Sequence, residues 1–113
     1  MKILVTELIW NQGIEKLEQA GYSIDYDKEL GRNREKLLSI ISDYDGLIVR
    51  NETKVDSELL DKGTNLKVIG RLGVGLDNID LKTAHNKNIT VVAAKHANAT
   101  SVAEYVLSAM LDA

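Results

Sequence analysis

Five short runs rich in Ile, Val and Leu recur along this chain, and a segment with apolar residues at helical spacing follows each of them. This alternation restricts the fold more than any other feature of the sequence. Ile3-Leu4-Val5 is a continuous apolar run, as expected of a strand buried on both faces. Ile14, Leu17 and Ala20 follow at helical spacing, with Gly21 as the stop signal. Tyr22 to Tyr26 alternates with period two, which predicts a strand nearer the sheet edge. Asn33 is placed to cap a helix carrying Leu37, Leu38 and Ile41 on one face. Gly46 to Val49 is the third strand, and Asp56 caps a short helix with Leu59 and Leu60 that Gly63 ends. Lys67 to Gly70 is the fourth strand, Asp80 opens a helix with Leu81 and Ala84, and Ile89 to Ala93 is the fifth. A last helix is expected over Ser101 to Ala113.

Strands that alternate with helices in this way pair in parallel, with right-handed crossovers and helices on both faces of the sheet. The expected class is α/β: a flavodoxin-like, doubly wound, five-stranded parallel sheet in the order 2-1-3-4-5. A chain of 113 residues supports one such core. The absence of cysteine excludes disulfide scaffolds, cysteine-based zinc sites and thiol nucleophiles, and no metal site is expected. With 14 basic residues against 17 acidic ones, nucleic acid is not an expected partner. No apolar run approaches the roughly 18 residues of a membrane span, and Met1 to Val5 is too short for a signal peptide, so a cytoplasmic protein is expected.

Ligands of open parallel sheets collect at the carboxyl ends of the strands. There the sequence offers Thr6-Glu7, then Arg50 to Lys54, then Arg71 to Gly75, then Lys95 to Thr100. Two arginines, two lysines, a glycine pair and Asn98 are thereby expected at one edge, forming a cradle for a small anion. Arginine presents a planar fork to a carboxylate or phosphate, and successive glycines let backbone N–H groups turn inward. Bland readings stand beside this one. Arg50 can be a solvated loop charge, Gly73 and Gly75 a tight turn, Asn98 a turn residue, and His96 a loop residue without a carboxylate to orient it.

Several decoys fall away on chemistry. Gly73-Val74-Gly75 begins like a dinucleotide fingerprint, but Asn78 stands where its third glycine belongs, and the acidic 77–80 stretch follows at once. A phospho-receiver needs an aspartate after the third strand, where this chain has Arg50. A flavodoxin needs a phosphate loop after the first strand, and Thr6 to Trp10 is not one.

Ser101-Val102-Ala103-Glu104 reads as a capping box. The helix beyond it is apolar nearly all round, which calls for burial on both sides. One domain covers only one side. The chain is therefore expected to be truncated, and to dimerise through Ser101 to Ala113 or fray there when isolated.

The segment Val68 to Asp80, then Asn98 to Glu104, together with Val49 to Val55, resembles the N-terminal part of the D-2-hydroxyacid dehydrogenases. The similarity covers essentially the whole chain and is nearest to the phosphoglycerate enzymes of that family. The resemblance implies hydride exchange between NAD and a small anionic 2-hydroxyacid or 2-ketoacid. It implies a substrate-binding domain over residues 1–100 and the start of an interdomain helix over 101–113. A nucleotide-binding domain beyond them would hold most of the NAD, and the intact enzyme is expected to be a homo-oligomer. Arg50 and Asn51 match positions on the substrate side, Gly73, Val74 and Gly75 the loop whose amides carry substrate, and Asn98 an asparagine near it. Val74 also matches a position that touches the cofactor. The family's catalytic residues match nothing in this chain, so none is assigned, and His85 and His96 are not candidates. Asn51 stands where the family often has serine, and Glu52 where some phosphoglycerate enzymes have a second arginine. Lactate, glycerate, hydroxypyruvate or sulfolactate thus remain possible substrates, and a stand-alone anion-binding or regulatory domain is the alternative from another class.

Overall fold

The computed structural model describes residues 2–7, 11–72 and 78–94. Five parallel strands form one sheet in the order β2-β1-β3-β4-β5: β1 Lys2–Val5, β2 Ser23–Tyr26, β3 Gly46–Val49, β4 Val68–Leu72 and β5 Thr90–Ala94. This is the expected order. The helices are α1 Asn11–Gln19, α2 Arg34–Ile40, α3 Ser57–Lys62 and α4 Leu81–Asn86, with one-turn 3-10 segments at Leu30–Arg32 and Ile41–Asp43.

Successive side chains along each strand point to opposite faces of the sheet, which divides the core in two. Leu4, Leu47, Val49 and Ile69 face Leu37 of α2, Leu59 and Leu60 of α3 and Ala84 of α4. Ile3, Val5, Ile48 and Val68 face Leu17, with Ile14 packed beside it, from α1. Helices thus cover both faces, and β3, buried along its whole length, is the centre of the sheet. A fully buried Leu or Ile contributes about 1.5–3 kcal/mol, so this doubly covered strand anchors whatever leaves its carboxyl end. The edge position of β2 matches its alternating pattern and its greater exposure.

The caps act as their residue types dictate. Asn33 accepts from the Lys36 N–H, Asp56 from Leu59 and Asp80 from Thr83, at 3.3, 3.1 and 3.1 Å. Gly21 closes α1 with a positive φ of 95°, and Asn88 makes the turn into β5 at φ 60°. Gly63 ends α3 for a different reason. Its φ is −81°, so no left-handed turn is needed there, and a Cβ would stand 2.9 Å from Leu66 Cδ1, so that side chain would have to shift.

One strand boundary corrects the expectation at the carboxyl edge. β4 continues two residues past Gly70, so Arg71 lies in the sheet opposite Val49 and Ala93 rather than in a loop. The expected helix over 101–113, with its capping box and its dimer contact, lies outside the described residues.

Candidate functional site

The loop that leaves β3, residues 50–56, lies at the carboxyl edge of the sheet. Its inner side is built from buried groups. Glu7, the second residue after β1, is only 3% exposed. Its carboxylate accepts the backbone N–H groups of Arg50, Glu52 and Thr53 at 2.6, 2.8 and 3.1 Å. The hydroxyls of Thr6 and Thr53, both fully buried, meet at 2.8 Å. Gly31 donates its N–H to the Thr6 carbonyl at 2.9 Å. A Cβ at Gly31 would lie 2.8 Å from Thr53 Oγ1 and 3.2 Å from Glu7 Cγ, so only glycine allows this approach.

Asn78 ties the same loop from the β4 side. Its Nδ2 donates to the carbonyls of Arg50 and Thr53 at 2.7 and 2.8 Å, and its Oδ1 accepts from Arg71 Nε at 2.8 Å. Val55 then pairs with the following backbone, donating to the Asn78 carbonyl and accepting from the Asp80 N–H, both at 2.8 Å. The loop's amides and its carbonyls are therefore both held, by Glu7 after β1 and by Asn78 in the turn before α4.

The outer side is charged and exposed. Arg32 meets Glu52 through its Nη2 at 3.0 Å and its Nε at 3.3 Å. That hydrogen bond, with the Arg32 charge behind it, holds the Glu52 carboxyl below its usual range and raises the Arg32 guanidinium. Arg34 pairs with Asp56 and donates to the Lys54 carbonyl. At Asp56 partial burial pulls the carboxyl upward, but the Leu59 N–H and Arg34 outweigh it, and the net shift is downward.

Arg50 and Asn51 are exposed at the tip of this loop. They border a hollow of about 380 Å³ shared with Lys28, Glu29, Arg32 and Glu52. Across the loop a second hollow, of about 420 Å³, is lined by Lys54, Asp56, Asn78 and Asp80. The first holds three cationic side chains against exposed Glu29 and Glu52, since the Glu7 carboxylate is already taken up by amides. It suits a small anion better than the second.

Residues 3–109 match the model of the D-isomer specific 2-hydroxyacid dehydrogenase catalytic domain. The chain belongs to the D-isomer specific 2-hydroxyacid dehydrogenase family. It is 44% identical over its full 113 residues to a D-3-phosphoglycerate dehydrogenase of Methanocaldococcus jannaschii, of which it covers 21%. It is 42% identical over 106 residues, 94% of the chain, to an (S)-sulfolactate dehydrogenase of Chromohalobacter salexigens, covering 34% of that protein. Among solved structures, the NAD+-bound 3-phosphoglycerate dehydrogenase of Entamoeba histolytica superposes with a TM-score of 0.71 at 31% identity, over 82% of this chain and 32% of that one. The chain thus spans about a fifth of the length of the archaeal phosphoglycerate dehydrogenase.

For this 2-hydroxyacid dehydrogenase domain the expected site residues divide into three groups. Arg50 and Asn51 stand together at the carboxyl edge, as expected. Gly73, Val74, Gly75 and Asn98, with Lys95 and His96, lie outside the described residues. Arg71 lies near the carboxyl end of β4 rather than in a loop, and its Nε donates to Asn78 Oδ1. His85 is exposed in the last turn of α4. Glu7, Gly31, Thr53 and Asn78 were not expected as site residues. Their partners in these contacts lie about 22 to 47 residues away in the sequence, beyond any local pattern.

Proposed function

We propose that this chain is the substrate-side domain of an NAD-dependent oxidoreductase of the family, acting on a D-2-hydroxyacid, with D-3-phosphoglycerate as the leading substrate. In this reading residues 1–100 bind substrate, and 101–113 lead toward a nucleotide-binding domain. The observation that carries it is the exposed Arg50–Asn51 pair on a loop tied to the sheet from both sides. Arg50 presents a planar fork to the substrate carboxylate, Asn51 a neutral donor beside it, and Lys28 and Arg32 add positive potential to the hollow. The amides of Val74 and Gly75 and the Asn98 side chain complete the substrate contacts in this reading, and Val74 touches the cofactor. NAD held by a second domain would supply the hydride chemistry, and this chain's residues would orient the carbon that exchanges it. Identity of 40% and 44% to two phosphoglycerate dehydrogenases along all 113 residues of this chain, 21% of each enzyme, supports the substrate.

A second reading is favoured by one observation. Glu52 brings a carboxylate into the same hollow as Arg50, which disfavours a doubly charged phosphate tail and suits glycerate or hydroxypyruvate. Titrating the chain with D-3-phosphoglycerate, D-glycerate and hydroxypyruvate while recording its amide NMR spectrum tests both. The expected result is shifts centred on residues 50–53 that Arg50→Ala abolishes, since a charge-assisted pair contributes about 1.5–3 kcal/mol. Tighter binding of D-3-phosphoglycerate supports the first substrate, and tighter binding of D-glycerate or hydroxypyruvate the second. Shifts confined elsewhere, or NADH oxidation by the 113-residue chain alone with any 2-ketoacid, would overturn the assignment.

A further inference from the structure

We infer that Glu7 and Asn78 are positioning residues that set the substrate loop from opposite sides, Glu7 through its amides and Asn78 through its carbonyls; the inference rests on the reading of Arg50 and Asn51 as the substrate edge. Glu7 is a carboxylate in the interior, 3% exposed. A buried carboxylate needs compensation, and here three backbone N–H groups of one loop supply it. The three donors straddle Asn51, coming from the residues on either side of it and from Thr53. They turn inward as a nest around the carboxylate, and the side chains of Arg50 and Asn51 are left at the exposed tip. Asn78 then binds the carbonyls of Arg50 and Thr53, two of the residues whose amides Glu7 holds. Arg50 therefore has its N–H and its C=O both fixed by side chains, Glu7 after β1 and Asn78 before α4. Holding a binding residue this way lowers the ordering cost of ligand capture.

The chemistry of the pair predicts which variants fail. Glutamine at position 7 has nearly the shape of glutamate, but its NH2 group would face an amide N–H where an acceptor is required. Glu7→Gln should therefore release the loop while leaving the strands intact. In the 113-residue chain, hydrogen exchange at Arg50, Glu52 and Thr53 should accelerate about tenfold or more, as the loss of a charge-assisted bond implies, while Leu47 and Ile48 in β3 stay protected. Affinity for D-3-phosphoglycerate, the probe, or for D-glycerate should fall about tenfold, and the melting temperature should drop by several degrees as buried amides lose their acceptor. Glu7→Asp keeps the charge and should restore part of both losses. Asn78→Asp removes the two N–H donors but keeps the acceptor for Arg71; it should weaken probe binding similarly and serves if Glu7→Gln fails to fold. Unchanged exchange at the loop amides in both Glu7→Gln and Asn78→Asp would overturn the inference. So would lost protection with probe affinity unaltered. If wild-type chain shows no response to either probe at residues 50–53, the substrate reading fails by itself, and with it the binding role of the clamp; loop exchange then still decides whether the clamp exists.

Discussion

The inner and outer sides of the 50–56 loop present carboxylates of the same chemistry in opposite circumstances. Glu7, inside, is buried and saturated by backbone N–H groups. Glu52, outside, is exposed and paired with a flexible arginine. The inner carboxylate determines where the backbone runs, because an unpaired buried charge is intolerable. The outer one shapes the potential of the hollow and little else, because an exposed ion pair exchanges readily with water. A strand-end carboxylate thus acquires its role from depth rather than from residue type.

That contrast is open to graded attack. Gly31→Ala should have the largest effect, about 1–3 kcal/mol of destabilisation by thermal melting, since its Cβ would press on Thr53 Oγ1 and Glu7 Cγ at the heart of the inner side. A variant as stable as wild type would show that the inner side is not tightly packed. Thr53→Val, which removes the buried hydroxyl pair with Thr6, should cost about 1 kcal/mol. Asp56 tests the contrast from the outer side, because it caps α3 as well as pairing with Arg34. Asp56→Ala should cost about 0.5–1 kcal/mol, at the low end for a cap because the side chain is half exposed. The folded state holds this carboxyl below its ordinary value, so its contribution is complete above roughly pH 4 and is lost as pH falls through the lower folded value. Acid melting of wild type and Asp56→Ala should therefore converge at low pH; a constant gap down to pH 2 would separate the cap from the charge.

The smallest expected effect on stability is that of Glu52→Gln. The melting temperature should not change measurably, yet binding of a 2-hydroxyacid anion should tighten about threefold at low salt and less at high salt, as one negative charge leaves the hollow. A drop in melting temperature comparable to that of Gly31→Ala would erase the distinction between the two sides.

The strand order and the caps were legible in the chain because each depends on residues close together. Short apolar runs, one period-two stretch and the 3.6-residue spacing identified β1 to β5 and α1 to α4, and Asn33, Asp56 and Asp80 cap within three residues of their own positions. The place of Arg50 and Asn51 at the carboxyl edge was legible for a related reason, since the end of an apolar run in a parallel sheet marks where ligands collect. Arg71 was misread because nothing local says that β4 runs on to Leu72; pairing with β3 and β5 decides it. Glu7 was read only as a residue at the end of the first strand, and Asn78 as standing where a nucleotide fingerprint has its third glycine. Their partners are 43 to 46 and 25 to 28 residues away, so only the parallel register of β1, β3 and β4 brings them to the same loop. Local periodicity determined the elements and the edge at which a ligand should lie. The tertiary structure decided which polar groups there are buried, and burial separates a side chain that holds the backbone from one that only meets solvent.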